Sequence, residues 1–268
     1  MAFLELHYHS DALRMGVTVN VILPENAKTM IGMTADGAAT YKTLYLFHGL
    51  SDDHTTWMRR TSIERYAANR GIAVVMPSVA RSWYTDTAGG SDYLTFVTRE
   101  LPSVCQGFFK GMSSAREDNL VAGLSMGGYG AIKAALTRPD LFGGCASLSG
   151  ALDLVTLPDR PGRELEWKGI FGFDLQSRAE LAESKHDIFH LTRKAVREGT
   201  PLPKLYLWCG TEDFLLDHSR RYRDLLSELD VPHLYEESEG FHSWKWWDLH
   251  IQDALNYLLD IPAKEATS

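Results

Sequence analysis

Asn119-Leu120-Val121-Ala122-Gly123-Leu124-Ser125-Met126-Gly127-Gly128-Tyr129-Gly130-Ala131 is the stretch on which the fold turns. A short apolar run meets Gly-x-Ser-x-Gly, and a small-residue, helix-prone segment follows. This is the sequence form of a nucleophile elbow, in which strand, sharp turn and helix hold one serine at a strained apex. Gly123 and Gly127 flank the serine where a Cβ would crowd the turn. Gly128 and Gly130 let the following helix pack close to the sheet. Gly-x-Ser-x-Gly recurs by chance, so its weight comes from the strand before it and the helix after it. Such an elbow requires a base, an acid and an oxyanion hole from the rest of the chain.

On the N-terminal side, residues 3–9 and 14–24 read as strands. The second alternates well and stops at Pro24, and the two suit an antiparallel hairpin at a sheet edge. Residues 25–40 read as a loop. Residues 42–47 form a near-continuous apolar run, as expected of a central strand covered on both faces. A helix over 62–69, a strand over 72–76, a polar and aromatic loop over 78–92 and a helix over 93–107 follow, with Pro102 as a restart point. On the C-terminal side the elbow helix ends at Arg138-Pro139. Strands are expected at 145–149, 204–210 and 233–237, and helices at 218–229 and 243–259. Residues 150–200 are richer in charge and are punctuated by Pro158, Pro161, Gly162, Gly169 and Gly172. They read as short helices inserted as a cap over the site. Strands alternate with helices from residue 42 onward, which predicts an α/β fold with a mostly parallel sheet and helices on both faces. We expect one domain over 1–268, with the cap at about 150–200.

Composition narrows the partners. Of 268 residues, 44% are hydrophobic and 23% charged, ordinary for a globular protein. The net charge of −8 argues against a nucleic-acid or anionic-membrane surface. The three cysteines, Cys105, Cys145 and Cys209, are widely spaced and suit reduced, buried thiols. No basic, apolar leader opens the sequence, and no apolar run approaches the ~20 residues of a membrane helix. The expectation is a cytoplasmic protein. No Gly-x-Gly-x-x-Gly, Walker loop or His-rich zinc pattern occurs, so neither cofactor nor metal is expected.

A serine hydroxyl needs a base within hydrogen-bond reach. His242, in Gly240-Phe241-His242-Ser243-Trp244, lies between a predicted strand and the last helix. That places it on a loop at the carboxyl edge of the sheet, where the elbow also lies. A carboxylate must then hold the imidazole tautomer. Asp213, just past the strand at 204–210, is the preferred acid, with Glu212 and Asp217 as competitors. The order Ser125, Asp213, His242 is that of α/β-hydrolases. Two backbone N–H groups must receive the oxyanion. Met126, after the nucleophile, supplies one. Leu50, in the loop after the strand at 42–47, is preferred for the other, with Ser51 as runner-up. His48 is expected to brace this loop rather than act as a second base. Trp57, Trp83 and Trp244 are the candidate substrate-binding aromatics, with Tyr84 beside Trp83.

Taken together, His48-Gly49-Leu50, the 76–84 loop, Gly123 to Ala131, Cys209 to Asp213 and Gly240 to Trp244 resemble the esterase D group of α/β-hydrolases. They look most like the small tributyrin esterases of lactic acid bacteria and streptococci. The resemblance covers nearly the whole chain, with the five motifs in order. It implies a cytosolic carboxylesterase for short-chain acyl esters, sometimes also phenolic esters such as feruloyl esters, assembled as a dimer or tetramer. A sister branch hydrolyses S-formylglutathione and typically has a histidine where this chain has Tyr129. Another, the mycolyl transferases, is secreted. The remaining alternative is a hydrolase fold kept as a non-catalytic binding module.

Overall fold

The computed structural model describes residues 1–25, 40–157, 162–172 and 179–262. Most of the expected loop at 25–40, and residues 158–161 and 173–178 of the expected cap, lie outside them.

Among the described residues, eight strands form one sheet: β1 (Ala2–Ser10), β2 (Met15–Leu23), β3 (Thr43–Phe47), β4 (Ala73–Pro77), β5 (Asn119–Leu124), β6 (Gly144–Leu148), β7 (Lys204–Gly210) and β8 (His233–Ser238). Their order is β1-β2-β4-β3-β5-β6-β7-β8. β2 runs antiparallel to β1 and β4, and the remaining neighbours are parallel. After β3 the chain steps outward to β4, then crosses back to β5 on the other side of β3. At such a reversal, beyond the carboxyl ends of β3 and β5, α/β sheets place their ligands. The register aligns Phe47 with Gly123 and Gly123 with Ser147, so the loops after β3, β5 and β6 emerge at one level.

The central strands are buried throughout because both faces are covered. On β3, Leu44 and Leu46 point into one apolar layer and Tyr45 and Phe47 into the other. The first layer is closed by α1 (Thr56–Arg60), α2 (Ile63–Ala68) and the last helix, through Trp57, Ile63, Ile251 and Leu255. The second is closed by helices over Tyr93–Phe108, by α5 (Met126–Thr137), by α7 (Ile188–Arg197) and by α8 (Leu216–Glu228). The single helix expected over 93–107 is broken into α3 (Tyr93–Thr95), a π-helical turn (Phe96–Glu100) and α4 (Leu101–Phe108). Pro102 lacks an N–H, and its ring would press on the carbonyl four residues back, so the preceding turn widens.

Within 150–200, α6 (Glu164–Phe171) lies against the 78–92 loop. Ala88 N–H donates to Ile170 O at 3.0 Å, Gly89 N–H donates to Gly169 O at 2.8 Å, and Arg81 donates to Glu166. α7 instead packs beside α5 in the layer covering the sheet. Beneath them, the buried Lys133 amine donates to Thr85 Oγ1, which bonds His186 Nδ1 at 3.0 Å. Burial lowers Lys133 to about 7 and His186 to about 3. Cys105, Cys145 and Cys209 are buried free thiols.

Candidate active site

Ser125 alone escapes burial between Asn119 and Ala135. Its backbone sits at φ 54°, ψ −119°, outside the regions an L-residue ordinarily adopts, at a cost of about 1–3 kcal/mol. Four hydrogen bonds over-determine the turn. Ser125 N–H donates to Leu148 O at 3.0 Å, while Ser125 O accepts from Gly128, Ala151 and Tyr129 N–H at 3.0, 3.1 and 3.2 Å. The glycines are required by proximity. A Cβ on Gly123 would lie 2.3 Å from Gly127 O, and one on Gly127 would lie 2.5 Å from Phe47 O. The same closeness sets the first turn of α5 against the end of β3.

The structure brings Ser125, His242 and Asp213 together. Ser125 Oγ is 3.0 Å from His242 Nε2. His242 Nδ1 is 2.9 Å from Asp213 Oδ2 and 3.1 Å from Oδ1. With the carboxylate accepting, Nδ1 carries the proton and Nε2 is left to accept from the serine. The Asp213 side chain is fully buried and that of His242 is 20% exposed. Leu215 N–H also donates to Asp213 Oδ1 at 2.9 Å, which aims the carboxylate. Glu212 and Asp217 are exposed, and Glu212 Oε2 accepts instead from Gly240 N–H at 2.7 Å. Phe214 and Trp247 flank the imidazole, with ring centroids at 4.6 and 4.8 Å. Trp247 is held in turn by donating to Ser149 Oγ at 3.1 Å.

The loop after β3 is braced from below. His48 Nδ1 donates to Gly49 O at 2.7 Å, and Val79 N–H donates to His48 Nε2 at 3.0 Å. Both ring nitrogens are thus committed with the ring neutral, and burial lowers its pKa to about 4. Tyr84 stacks on Phe47 at 4.4 Å and donates to His48 O at 3.0 Å. Asp52 N–H closes a turn on Gly49 O at 3.2 Å. Among the described residues, the N–H groups of Leu50, Ser51 and Met126 have no hydrogen-bond acceptor within the protein. Met126 is the first residue of α5, where the helix dipole favours an anion.

The three tryptophans part company. Trp57 is 1% exposed and donates to Phe47 O at 3.0 Å, so it offers no face to a ligand and serves as a core support under β3. This corrects the expectation that it binds substrate. Trp83, 6% exposed, meets Tyr129, Trp167 and Phe171 and seats α6. Trp244, the first residue of the last helix, α9 (Trp244–Leu258), is partly exposed and packs edge-on against Trp57 and Trp247. Trp247 and Phe214, which do touch His242, escape prediction. Trp247 stands three residues after Trp244, a spacing that shares a helix face and is the one signal that points to it.

A sequence profile described as putative esterase matches residues 10–258. An acetyl esterase of Caldicellulosiruptor saccharolyticus is 30% identical over 266 residues, covering 96% of this chain and 98% of its own. The substrate-bound fluorophosphonate-binding serine hydrolase F of Staphylococcus aureus superposes with a TM-score of 0.85 at 37% identity, covering 96% and 98% of the two chains. An S-formylglutathione hydrolase of the same organism gives 0.83 at 36% identity, over the same shares. By its elbow, its strand order and these likenesses, the chain belongs to the putative esterase family and is an ester-hydrolysing enzyme of α/β-hydrolase fold.

Proposed function

We propose that the protein is a serine carboxylesterase that cleaves short-chain acyl esters through an acyl-enzyme on Ser125. The observation that carries this is the relay of Ser125 Oγ, His242 Nε2 and Nδ1, and Asp213, at 3.0 and 2.9 Å, on a strained elbow. His242 Nε2 takes the hydroxyl proton as Ser125 Oγ bonds to the ester carbonyl carbon. The N–H groups of Leu50 and Met126 receive the oxyanion. The intermediate collapses, the C–O bond to the alcohol breaks, and His242 returns its proton to that alcohol. His242 then deprotonates water, which attacks the acyl carbon, and Ser125 leaves with the proton. Asp213 keeps Nδ1 protonated and stabilises the imidazolium.

In this proposal Trp244 bounds the acyl and alcohol sites, and Trp83 acts from beneath by seating α6, part of the cap on a single domain. The resemblance to tributyrin esterases supports its remaining parts: a cytoplasmic homo-oligomer that also accepts phenolic esters such as feruloyl esters. No described helix is long and apolar enough to cross a membrane.

Thioester cleavage is the second reading, favoured by the S-formylglutathione hydrolase at 36% identity. Tyr129 does not argue against it. That ring is fully buried and donates to His186 O at 2.8 Å, so it faces the core rather than a leaving group. The test is kcat/KM on acetate, butyrate and octanoate p-nitrophenyl esters, methyl ferulate and S-formylglutathione. The proposal expects the short acyl esters to lead. A preference of more than about 10²-fold for S-formylglutathione, some 3 kcal/mol of transition-state binding, would replace it with the thioester reading.

A further inference from the structure

Glu212 and Gly240 join the loop that carries Asp213 to the loop that carries His242. Glu212 N–H donates to Gly240 O at 2.9 Å, and Gly240 N–H donates back to Glu212 Oε2 at 2.7 Å. The pair extends the β7–β8 ladder beyond its last partners, Gly210 and Ser238, and beyond the bond from Thr211 N–H to Ser238 O at 2.8 Å. Close approach makes it feasible, since a Cβ on Gly210 would lie 2.2 Å from Gly240 O. Past the end of the ladder the carboxylate of Glu212 supplies the acceptor that a strand carbonyl no longer provides. The Gly240 N–H holds the Glu212 carboxyl below its usual range.

We propose that Glu212 is a positioning residue: by clamping Gly240, it holds His242 in register with Asp213 and Ser125. The proposal rests on the roles given to those three residues above. Glu212 stands one residue before the acid, and Gly240 two before the base. The lower end of the same loop has its own support. Trp208 Nε1 donates to Ser238 Oγ at 3.0 Å, and His250 lies with Nε2 3.2 Å from Ser238 Oγ and Nδ1 2.9 Å from Asp253. Ser238, His250 and Asp253 have the composition of a second triad. Ser238, however, lies in β8 rather than on an elbow, and an indole N–H already occupies its oxygen. They anchor the strand end and leave the stretch from Glu239 to His242 to Glu212. The Glu212 side chain is solvent-exposed, so its hydrogen bond contributes little to global stability. Its effect is on geometry, where a displacement of ~1 Å costs on the order of 10²-fold in rate.

Glu212→Ala and Glu212→Gln are compared with wild type on p-nitrophenyl acetate, with active sites titrated by a fluorophosphonate. For Glu212→Ala we expect kcat to fall roughly 10- to 100-fold with KM within about twofold. The melting temperature should stay within about 2 °C. Glu212→Gln should regain most of the rate, because its amide oxygen can accept the Gly240 N–H. Wild-type kcat in Glu212→Ala overturns the proposal, and so does equal impairment of the two variants. Wild-type protein that fails to label at Ser125 overturns the triad assignment itself, which the Glu212 comparison leaves separate.

Discussion

Replacing Asp213 with asparagine isolates the electrostatic and tautomeric part of the relay from its shape. The side chain is buried and its two oxygens are differently engaged, Oδ1 by Leu215 N–H at 2.9 Å and both by His242 Nδ1. An asparagine fits the same space. Its oxygen stays with Leu215 N–H, which turns the amide NH2 towards the imidazole. Nδ1 must then accept rather than donate, the proton moves to Nε2, and Nε2 can no longer receive the proton of Ser125. In Ser-His-Asp hydrolases this exchange lowers kcat by about 10⁴-fold, or roughly 5 kcal/mol of transition-state stabilisation. The same loss is expected here for p-nitrophenyl acetate, with KM within about threefold because no substrate contact is removed. Fluorophosphonate labelling of Ser125 should slow in parallel. If Asp213→Asn keeps kcat within about tenfold of wild type while folded, Asp213 is not the acid of this site.

Two further outcomes follow from the same geometry. Gly127→Ala places a methyl group 2.5 Å from Phe47 O and 2.6 Å from His48 O, both backbone atoms that cannot swing away. It should cost roughly 3 kcal/mol or more, lowering the melting temperature by about 5–10 °C and activity with it; a variant with native melting temperature contradicts the close packing of the elbow. Lys133 is lowered to about 7 by burial, against an ordinary value near 10.5, so between these values the unfolded chain binds the extra proton. Stability should therefore rise as pH increases from about 7 to 10, by up to a few kcal/mol, and Lys133→Met should flatten that slope. Thermal melts of both proteins across this range check it, and parallel slopes would refute it.

Much of this architecture is legible from local rules. Apolar runs bounded by Gly and Pro mark β3, β4 and β5 because strands covered on both faces tolerate no polar alternation. The elbow announces itself because only glycine tolerates neighbours at 2.3–2.5 Å. The choice among Glu212, Asp213 and Asp217 is harder to read, since all three follow the end of β7 at Gly210 within a few residues. What separates them is direction, with Asp213 buried against His242, Glu212 turned to Gly240 and Asp217 exposed. Trp57 and Trp247 show the same limit. Both are tryptophans near motif residues, yet one lies beneath β3 and the other against the imidazole, because helix phase rather than sequence distance decides the contact. Tyr129 lies four residues past the serine, and α5 turns it into the core. The π-helical turn before Pro102 has no periodic signature, since it arises from one missing N–H.

The most direct test of the central claim is hydrolysis of p-nitrophenyl acetate by Ser125→Ala, paired with peptide mapping of the fluorophosphonate-treated wild type. Because triad members act as a unit, the variant should lose about 10³-fold or more in kcat, and the only phosphonylated residue should be Ser125. Undiminished turnover in Ser125→Ala, or a label on another residue, would contradict the account.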